Sequence, residues 1–445
     1  MTGTRTILII GGGASGTLLA LQVLAQNASK IRVVLIDRSA EPGRGLAYGT
    51  SDDQHLLNVT PVVLSAFPDD PGHFRCWLER QGIVAADADP FVFVPRRHFG
   101  DYLNALLLKA QAGANGRLTL MRSEVASLHE TSAGIELLLA NGASVPGHVA
   151  VLATGHDDDC PADESIAGID PDQPGPILIL GTGLSMIDRW LSLRHAGYRG
   201  KVVAMSRRGL LPQVHQKGAP LRIDAADVPF GTSLPYFIRW LRSLAAEAVA
   251  EGGDWRAATD AIRPYSQRLW QSWSEATRQR FLVHARAWWD VHRHRLAPAV
   301  HRCLLAEFRG GQFEAIAGKP LVVKPGVGRQ MLRFRRRGLT GLEVIEVAAV
   351  LDCRGLARDW EARPGTLIGK LVADGVARPD PLRIGLDVND NCQVVDGDGQ
   401  PSPRLFAVGP LTRGQFFEIE AIPDIRRQCV ELARALSGCL LKETS

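Results

Sequence analysis

A glycine-rich turn between two apolar strands constrains the fold of this chain more than any other feature. Residues 6–10 (TILII) form a continuous, mostly β-branched run, the pattern of a parallel strand that is buried on both faces. The segment GGGASG at residues 11–16 follows, then an apolar helical stretch, and a second strand, IRVVLID, ends at Asp37. This order of strand, G-x-G-x-x-G turn, helix, strand and terminal acid predicts a βαβ dinucleotide-binding unit.

Each residue type in this unit has a physical task in binding a dinucleotide. The first glycine permits the tight turn, the second lets the backbone approach a pyrophosphate, and the third allows close packing of helix on strand. The helix N-terminus supplies amide donors, and the acid that ends the second strand can accept hydrogen bonds from ribose hydroxyls. We therefore predict that this dinucleotide is bound by Gly11, Gly13, Ser15, Gly16, Asp37 and Arg38.

A second, looser unit begins at the apolar strand PILIL, residues 176–180. It leads into GTGLSM at residues 181–186, a helix and the strand KVVAM, which is followed by two arginines. Met186 stands where the third glycine would be, which loosens the motif. The remaining pattern still predicts a second βαβ dinucleotide-binding unit.

The register of the second unit favours NADPH over NADH. Asp37 lies 21 residues after Gly16, and Arg207 lies 21 residues after Met186. An acid at this position would repel a 2′-phosphate, whereas guanidinium groups bind one bidentately. We predict that NADPH is held by Gly181, Gly183, Ser185, Arg207 and Arg208, the alternative being that both arginines only cover a domain edge.

Later glycine-containing segments indicate that the first dinucleotide is FAD. The stretch from Glu41 to Gly49 is long and glycine-rich, which suits a flavin that extends beyond its ADP half. Residues 148–156 predict a buried strand that ends in Ala-Thr-Gly, and residues 404–410 predict another that ends at a glycine. Because such turns border the FAD in two-dinucleotide flavoproteins, the further candidate FAD residues are Thr154, Gly155, Gly409 and Pro410.

Near the C-terminus, a helix is predicted from Pro423 to about Leu436. Proline suits the first turn of a helix. If this helix points at the pyrimidine end of a flavin, its positive dipole end would stabilise the anionic reduced form. Just before it, Glu418 and Glu420 are candidate proton carriers, or they have structural or surface roles.

Residues 233–306 are predicted to be helical and are rich in tryptophan. Trp270 and Trp273 are three apart, so they share a helix face and favour core packing over cofactor stacking. His292 and His294 are two apart and point to different sides of a helix, so no metal site is expected. The basic segment around them either binds an anion or ends a helix against its dipole.

Composition argues against several other classes of protein. The net charge is only +4 over 445 residues, which gives no reason to expect nucleic-acid binding. No apolar run reaches membrane-spanning length, and seven cysteines without a C-x-x-C pair indicate reduced thiols in a cytoplasmic protein. The missing dithiol also argues against a flavin disulfide reductase.

The two units together predict an α/β fold with two Rossmann-like domains, in which the NADPH domain interrupts the FAD domain. We place the FAD domain at residues 1–170 and 356–445. The NADPH domain is expected at 171–232 and 307–355, with a helical insertion at 233–306.

With these segments in view, the chain resembles the YdhS-like family of bacterial FAD/NAD(P)-binding proteins. The resemblance covers nearly the whole length and is carried by IIGGGASG, GTGLSMID, SRRGLLP, WWDVHRHRLAP and GPLTRGQFFEIEAIPDIRRQ. The wider group is similar to two-dinucleotide flavin monooxygenases, including amine and amino-acid N-oxygenases. In that group NADPH reduces FAD, oxygen adds at flavin C4a, and a nucleophilic substrate takes the distal oxygen. By position, the resemblance implies that Asn58 lies near the flavin ring.

This resemblance favours an NADPH-dependent FAD monooxygenase that uses a C4a-hydroperoxyflavin to oxygenate nitrogen in a small amine or amino acid. Its partners would be a small-molecule substrate and molecular oxygen, and Asn58 and Glu418 are the candidate catalytic residues. Two alternatives stay open. One is a flavin reductase or dehydrogenase that passes electrons to another acceptor, and the other is an FAD-binding redox sensor without turnover.

Overall fold

Strands and helices both contribute substantially to the structure, a computed structural model that describes residues 4–26, 29–156, 166, 168–325, 329–354, 360–361 and 363–442. The strands are β1 (Arg5–Ile10), β2 (Ile31–Asp37), β3 (Leu118–Arg122), β4 (Val125–Thr131), β5 (Gly134–Leu139), β6 (Ser144–Gly147), β7 (Val149–Leu152), β8 (Ile177–Leu180), β9 (Val202–Ser206), β10 (Phe313–Pro325), β11 (Gln330–Arg336), β12 (Glu343–Val347), β13 (Ala349–Asp352), β14 (Gln393–Val395) and β15 (Pro401–Ala407).

The α-helices are α1 (Ala14–Ala25), α2 (Gly45–Tyr48), α3 (His73–Arg80), α4 (Arg97–Gly113), α5 (Leu184–His195), α6 (Leu234–Ala250), α7 (Trp255–Ala261), α8 (Ser266–Ser272), α9 (Glu275–Arg280), α10 (Arg286–Arg293), α11 (Pro298–Arg309), α12 (Leu367–Ala373) and α13 (Ile422–Lys442). Short 3₁₀ turns occupy Pro61–Val63, Arg263–Tyr265 and Gly409–Thr412, and Phe281–Ala285 form a π-helical turn. None of the described helices is long and apolar enough to cross a membrane.

The first sheet has the strand order β14-β15-β7-β1-β2-β3. Its central strand, β1, pairs in parallel with β2 on one side and β7 on the other, so that Leu8 lies opposite both Val34 and Ala150. The apolar run predicted for this strand is buried, because β1 contacts α1 and also the three-stranded antiparallel sheet β4-β5-β6. The chain continues from β1 to β2 on one side, whereas β7 lies on the other side of β1. The strand order therefore reverses at β1, and the ligand-binding crevice opens at the carboxyl ends of β1 and β7.

The second sheet repeats this plan, with the order β12-β11-β10-β9-β8-β13. Its strand β8 pairs in parallel with β9 and β13, and Ile179 lies opposite both Ala204 and Leu351. A second crevice therefore opens at the carboxyl ends of β8 and β13. The predicted α/β class with two Rossmann-like units is confirmed. Strands β10, β11 and β12 extend the sheet as an antiparallel ribbon.

The tryptophan-rich helices form a third core that packs against the C-terminal part of the chain. Trp270 and Trp273 are both buried in this core, which confirms the prediction that they are packing residues. The Trp270 ring stacks on Phe417 at 4.7 Å between ring centroids, and its Nε1 donates a hydrogen bond to Gly414 O at 2.8 Å. The helical region is thus fastened to the segment that precedes α13.

Helix α13 is longer than the sequence pattern predicted, since it runs from Ile422 to Lys442 rather than ending near Leu436. Leu436 and Leu440 are both buried in the core of the first sheet. Because these two residues are four apart, the buried face of the helix continues for another turn.

Candidate functional site

The first glycine-rich turn is built so that only glycine fits at two of its positions. Gly11 has φ +103°, and a Cβ there would lie 2.6 Å from Ala153 O. A Cβ on Gly16 would lie 1.9 Å from Gly11 O. The turn and the start of α1 therefore pack at the backbone distances that a pyrophosphate-binding loop requires.

The second glycine of this turn, Gly13, differs from these two because a Cβ there would fit without a clash. The closest atom to a Cβ on Gly13 would be Gly45 Cα at 3.5 Å, which is an ordinary contact. Asp37 accepts hydrogen bonds from Gly12 N–H at 2.5 Å and from Ser39 N–H at 2.7 Å. The carboxylate is thereby fixed at the end of β2, and the adjacent Arg38 is exposed.

The segments predicted to border a flavin converge on the same turn. Gly409 has φ +72°, and a Cβ there would lie 2.2 Å from Ser15 Oγ, so the late strand β15 brings Gly409 and the half-buried Pro410 onto the N-terminus of α1. Thr154 follows β7, and its buried Oγ1 has no hydrogen-bond partner in the described structure. Gly155 has φ +70° and open space around it. An unpartnered hydroxyl beside open glycines fits a bound FAD.

The second turn reproduces the first with one change. Gly181 has φ +115°, and a Cβ there would lie 2.4 Å from Cys353 O, whereas a Cβ on Gly183 would meet nothing within 4 Å. Met186, in place of the third glycine, is fully buried in the core of this unit. The Met186 side chain therefore packs in the core, and the space beside Gly183 stays open. The residues of this turn fit a second dinucleotide.

The two arginines after β9 differ in their contacts. Arg207 is exposed and makes no ion pair with any other residue that the structure describes. Arg208 is half-buried and donates from Nη2 to His284 O at 2.9 Å. Arg207 is therefore the freer of the two to bind a phosphate.

Comparison with known families supports the assignment of the first unit. Residues 8–157 match a family model described as FAD-NAD(P)-binding. These residues form an FAD/NAD(P)-binding domain. They contain β1, α1, β2 and β7, the elements that build the first crevice. A search of curated proteins found no match for this chain.

Solved structures share the fold over nearly the whole chain. An ornithine hydroxylase from Pseudomonas aeruginosa is 14% identical with a TM-score of 0.63, and the match covers 98% of this chain and 100% of that one. An ornithine N-hydroxylase from Kutzneria sp. 744, with reduced FAD, NADP⁺ and L-ornithine in its description, is 15% identical with a TM-score of 0.62 and coverages of 99% and 100%. A bacillithiol disulfide reductase from Bacillus cereus is 12% identical with a TM-score of 0.52 and coverages of 98% and 99%. At these identities the likeness shows the fold alone.

A cavity of 790 Å³ lies between the FAD/NAD(P)-binding domain, the second dinucleotide unit and the helical region. Four predicted site residues meet there, namely Asn58, Gly183, Ser185 and Glu418. Glu420 also lines it and pairs with Arg413. The apolar part of the wall includes Leu56, Val59, Leu191, Val300 and Ile422, and the charged part includes Asp260, Arg263, Asp290, Arg293, His294 and Arg295. The other predicted cofactor residues do not line this cavity.

Glu418 is the central charged residue of this wall. Its Oε1 accepts hydrogen bonds from Trp289 Nε1 at 3.0 Å and from Arg293 Nε at 3.2 Å. Desolvation acts to raise the pKa of Glu418, but Arg293 and the Trp289 N–H outweigh it and hold the pKa below the ordinary value. Glu418 is therefore ionised although only 8% of it is exposed.

Asp290 and His294 form a second titratable pair in the wall, with Oδ1 and Nε2 4.0 Å apart. Both residues line the cavity, and 39% of the Asp290 side chain and 37% of the His294 side chain are accessible there. Neighbouring protein atoms nevertheless desolvate both groups. Desolvation raises the pKa of Asp290, and the nearby charge of Glu418 raises it further. Desolvation lowers the pKa of His294. Each group is thus biased towards its uncharged form. No group of three or more described His, Cys, Asp or Glu residues could hold a metal ion.

His215 is a cavity residue that sequence analysis missed. Its Nε2 lies 2.7 Å from Asn58 O, and burial together with Arg295 lowers its pKa to about 4. It is therefore uncharged at neutral pH and donates its Nε2–H to the Asn58 carbonyl, which fixes the loop that carries Asn58. No local motif marks His215. The basic segment around His292 and His294, by contrast, was expected to bind an anion or to end a helix, and α10 does end there, at Arg293.

Polar contacts join the two dinucleotide units beside the cavity. Arg96 donates from Nη1 to Asp188 Oδ2 on α5 at 2.7 Å. His55 is buried, and its Nε2 lies 2.9 Å from Ser192 Oγ, also on α5. These contacts join residues before α4 to residues on α5 and so define the position of the first dinucleotide unit relative to the second.

Proposed function

We propose that this chain is an NADPH-dependent FAD monooxygenase that oxygenates nitrogen in a small amine or amino acid. The observation that carries the proposal is the charged cavity that both dinucleotide units and the helical region enclose. The lining contains Asn58, which the resemblance implies lies near the flavin ring, and Gly183 and Ser185 of the predicted NADPH turn. A substrate in the cavity would therefore lie between the two cofactors.

The predicted residues fit the two cofactors by position and chemistry. FAD would be held by Gly11, Gly13, Ser15, Gly16, Asp37, Arg38, Asn58, Thr154, Gly155, Gly409 and Pro410. NADPH would be held by Gly181, Gly183, Ser185, Arg207 and Arg208, and the unpaired Arg207 favours its 2′-phosphate. When bound, these cofactors supply hydride transfer and the reduction of oxygen.

The protein's own contribution is to orient the substrate and to keep water from the reacting atoms. The apolar residues Leu56, Val59 and Ile422 line the cavity together with Asn58 and would limit the access of water to a bound substrate. The ionised Glu418 and the uncharged His294 lie in the wall near Asp290. A carboxylate that binds a cationic nitrogen and a neutral imidazole that can accept its proton suit the preparation of an amine for attack on oxygen.

The cysteines do not support the alternative of a dithiol reductase. None of the described residues that line the cavity is a cysteine. Cys392 and Cys429 are both buried, and burial raises the pKa of the Cys392 thiol to about 12 and that of Cys429 further. Such thiols are poor nucleophiles at neutral pH. A reductase with a different acceptor is the remaining alternative, because the fold is shared with disulfide reductases as well as hydroxylases.

The test measures where the electrons of NADPH go. The purified holoprotein would be reduced anaerobically with NADPH and with NADH, then turned over in oxygenated buffer with a panel of amines and amino acids. We expect faster flavin reduction by NADPH and, for at least one amine, oxygen uptake matched by an N-oxidised product. Oxygen uptake that yields only hydrogen peroxide across the panel would refute the monooxygenase and favour the reductase. NADPH binding without flavin reduction would indicate a sensor.

A further inference from the structure

Glu418 occupies a backbone conformation that glutamate rarely adopts. Its φ is +60°, in the left-handed region, and among the residues that line the cavity it is the one non-glycine residue with a described positive φ. Such a conformation is unfavourable for a residue with a Cβ and is found most often at functional sites. The strained backbone directs a charged side chain into the cavity wall.

One oxygen of this carboxylate has no partner. Trp289 and Arg293 both contact Oε1, whereas Oε2 is buried and accepts no hydrogen bond in the described structure. The Ser266 hydroxyl lies close enough to the carboxylate to help lower the pKa of Glu418. Ser266 Oγ nevertheless makes no hydrogen bond of ordinary geometry. A buried, ionised carboxylate oxygen without a donor is unusual in a folded protein.

A second glutamate in the same chain shows what a purely structural arrangement of this kind is like. Glu307, on α11, also accepts from a tryptophan and an arginine: Oε2 from Trp190 Nε1 at 2.8 Å, and Oε1 from Arg194 Nε at 2.7 Å. Arg194 Nη2 adds a further bond to Oε2 at 2.7 Å. Both oxygens of Glu307 therefore accept hydrogen bonds, whereas Glu418, which lines the cavity, has one buried oxygen that accepts no hydrogen bond of ordinary geometry in the described structure.

The charges around Glu418 favour a cation as the missing partner. Arg293 is shared between Glu418 and Asp260, and Arg295 also contacts Asp260, so neither guanidinium is reserved for Glu418. Asp290 lies in the same wall and is close enough for the charge of Glu418 to act on it. A free carboxylate oxygen accepts N–H or O–H donors and repels anions, and a charged N–H donor binds it most strongly.

We propose that Glu418 Oε2 binds the protonated nitrogen of the substrate and so selects amines over isosteric alcohols. This inference rests on the proposed function, which requires an amine in the cavity. The nitrogen is held at a fixed place relative to Asn58 on the flavin side and Ser185 on the NADPH side. Trp289 and Arg293 act as positioning residues, because they hold the other carboxylate oxygen.

The experiment measures binding, without turnover, by calorimetry on the FAD-loaded protein saturated with NADP⁺. The paired probes are 1,4-diaminobutane with 1,4-butanediol, and 4-aminobutanoate with 4-hydroxybutanoate. We expect the protein to prefer the amine in at least one pair. Glu418→Gln should reduce that preference by roughly 10- to 100-fold, the range for a charge-assisted hydrogen bond. Glu307→Gln, the matched control, should leave the preference unchanged.

A second variant keeps the test decisive if Glu418→Gln does not fold. Glu418→Asn removes the charge but suits the backbone, because asparagine adopts positive φ more readily than most residues. It should lose the amine preference as well. The inference is overturned if the parent protein does not discriminate between amine and alcohol, or if both Glu418 variants keep the preference. Failure of the proposed function has a different signature, namely oxygen uptake without any N-oxidised product.

Discussion

Replacing Gly183 by alanine separates binding of the second dinucleotide from folding. The residue has φ −88° and ψ −165°, an extended conformation that alanine adopts freely. A Cβ there would meet no atom within 4 Å, so the free energy of unfolding should change by less than about 0.5 kcal/mol. If a pyrophosphate approaches this backbone, the added methyl group occupies its place. Loss of one or two backbone N–H contacts then weakens NADP⁺ binding by at least roughly 10-fold.

The assay is calorimetric titration of the FAD-loaded protein with NADP⁺, combined with thermal unfolding. FAD content should be unchanged, because the predicted FAD residues lie outside this turn. Gly181→Ala is the contrasting variant: its φ of +115° and a Cβ 2.4 Å from Cys353 O predict a loss of stability of at least about 1–2 kcal/mol. If Gly183→Ala binds NADP⁺ as tightly as the parent, the pyrophosphate does not approach Gly183, and the assignment of this turn is wrong.

Three further variants test the cofactor sites and the cavity. Arg207→Glu should weaken NADPH binding by roughly 10- to 100-fold and leave NADH binding nearly unchanged. The measurement is the rate of flavin reduction as a function of the concentration of NADPH or of NADH. Gly16→Ala should lose FAD and stability, because its Cβ would lie 1.9 Å from Gly11 O, whereas Gly13→Ala should fold normally, its Cβ lying 3.5 Å from the closest atom. Burial lowers the pKa of His215 to about 4, so the stability this residue contributes is fully present above pH 6.5 and is lost as the pH falls towards 4. Between pH 7.5 and pH 5, the free energy of unfolding of His215→Gln should therefore fall by about 2 kcal/mol less than that of the parent, as measured by urea unfolding. Equal decreases in the two proteins would contradict the lowered pKa of His215.

The strands and turns of both dinucleotide units were predictable because their signals are local. An apolar run such as residues 6–10 must be buried on both faces, and a following glycine such as Gly11 must turn at positive φ. The late strand before Gly409 was recognisable for the same reason. The end of α13 was not, because its last turns are held by Leu440 against the core of the first sheet rather than by any local stop signal.

The cavity was less predictable, because its residues come from distant parts of the chain. Ser185 was a candidate from its motif and Asn58 from the family resemblance, but only the packing of the two units brings them to one cavity. His215 carries no motif, and its importance comes from a contact with Asn58, 157 positions away along the chain. Pairing of this kind follows from tertiary structure and leaves no periodicity in the sequence.

The helical region explains how a common cofactor fold can acquire a specific substrate site. Two of its tryptophans donate to the segment before α13: Trp270 to Gly414 O at 2.8 Å and Trp289 to Glu418 Oε1 at 3.0 Å. These bonds, with the Trp270–Phe417 stacking, hold Glu418 at a positive φ that its own sequence would not favour. If Glu418 binds the substrate as proposed, the dinucleotide units determine which cofactors bind, while the helical region sets the position of the charged group that meets the substrate. We expect substrate preference to change with substitutions in this region that leave FAD and NADP⁺ binding intact.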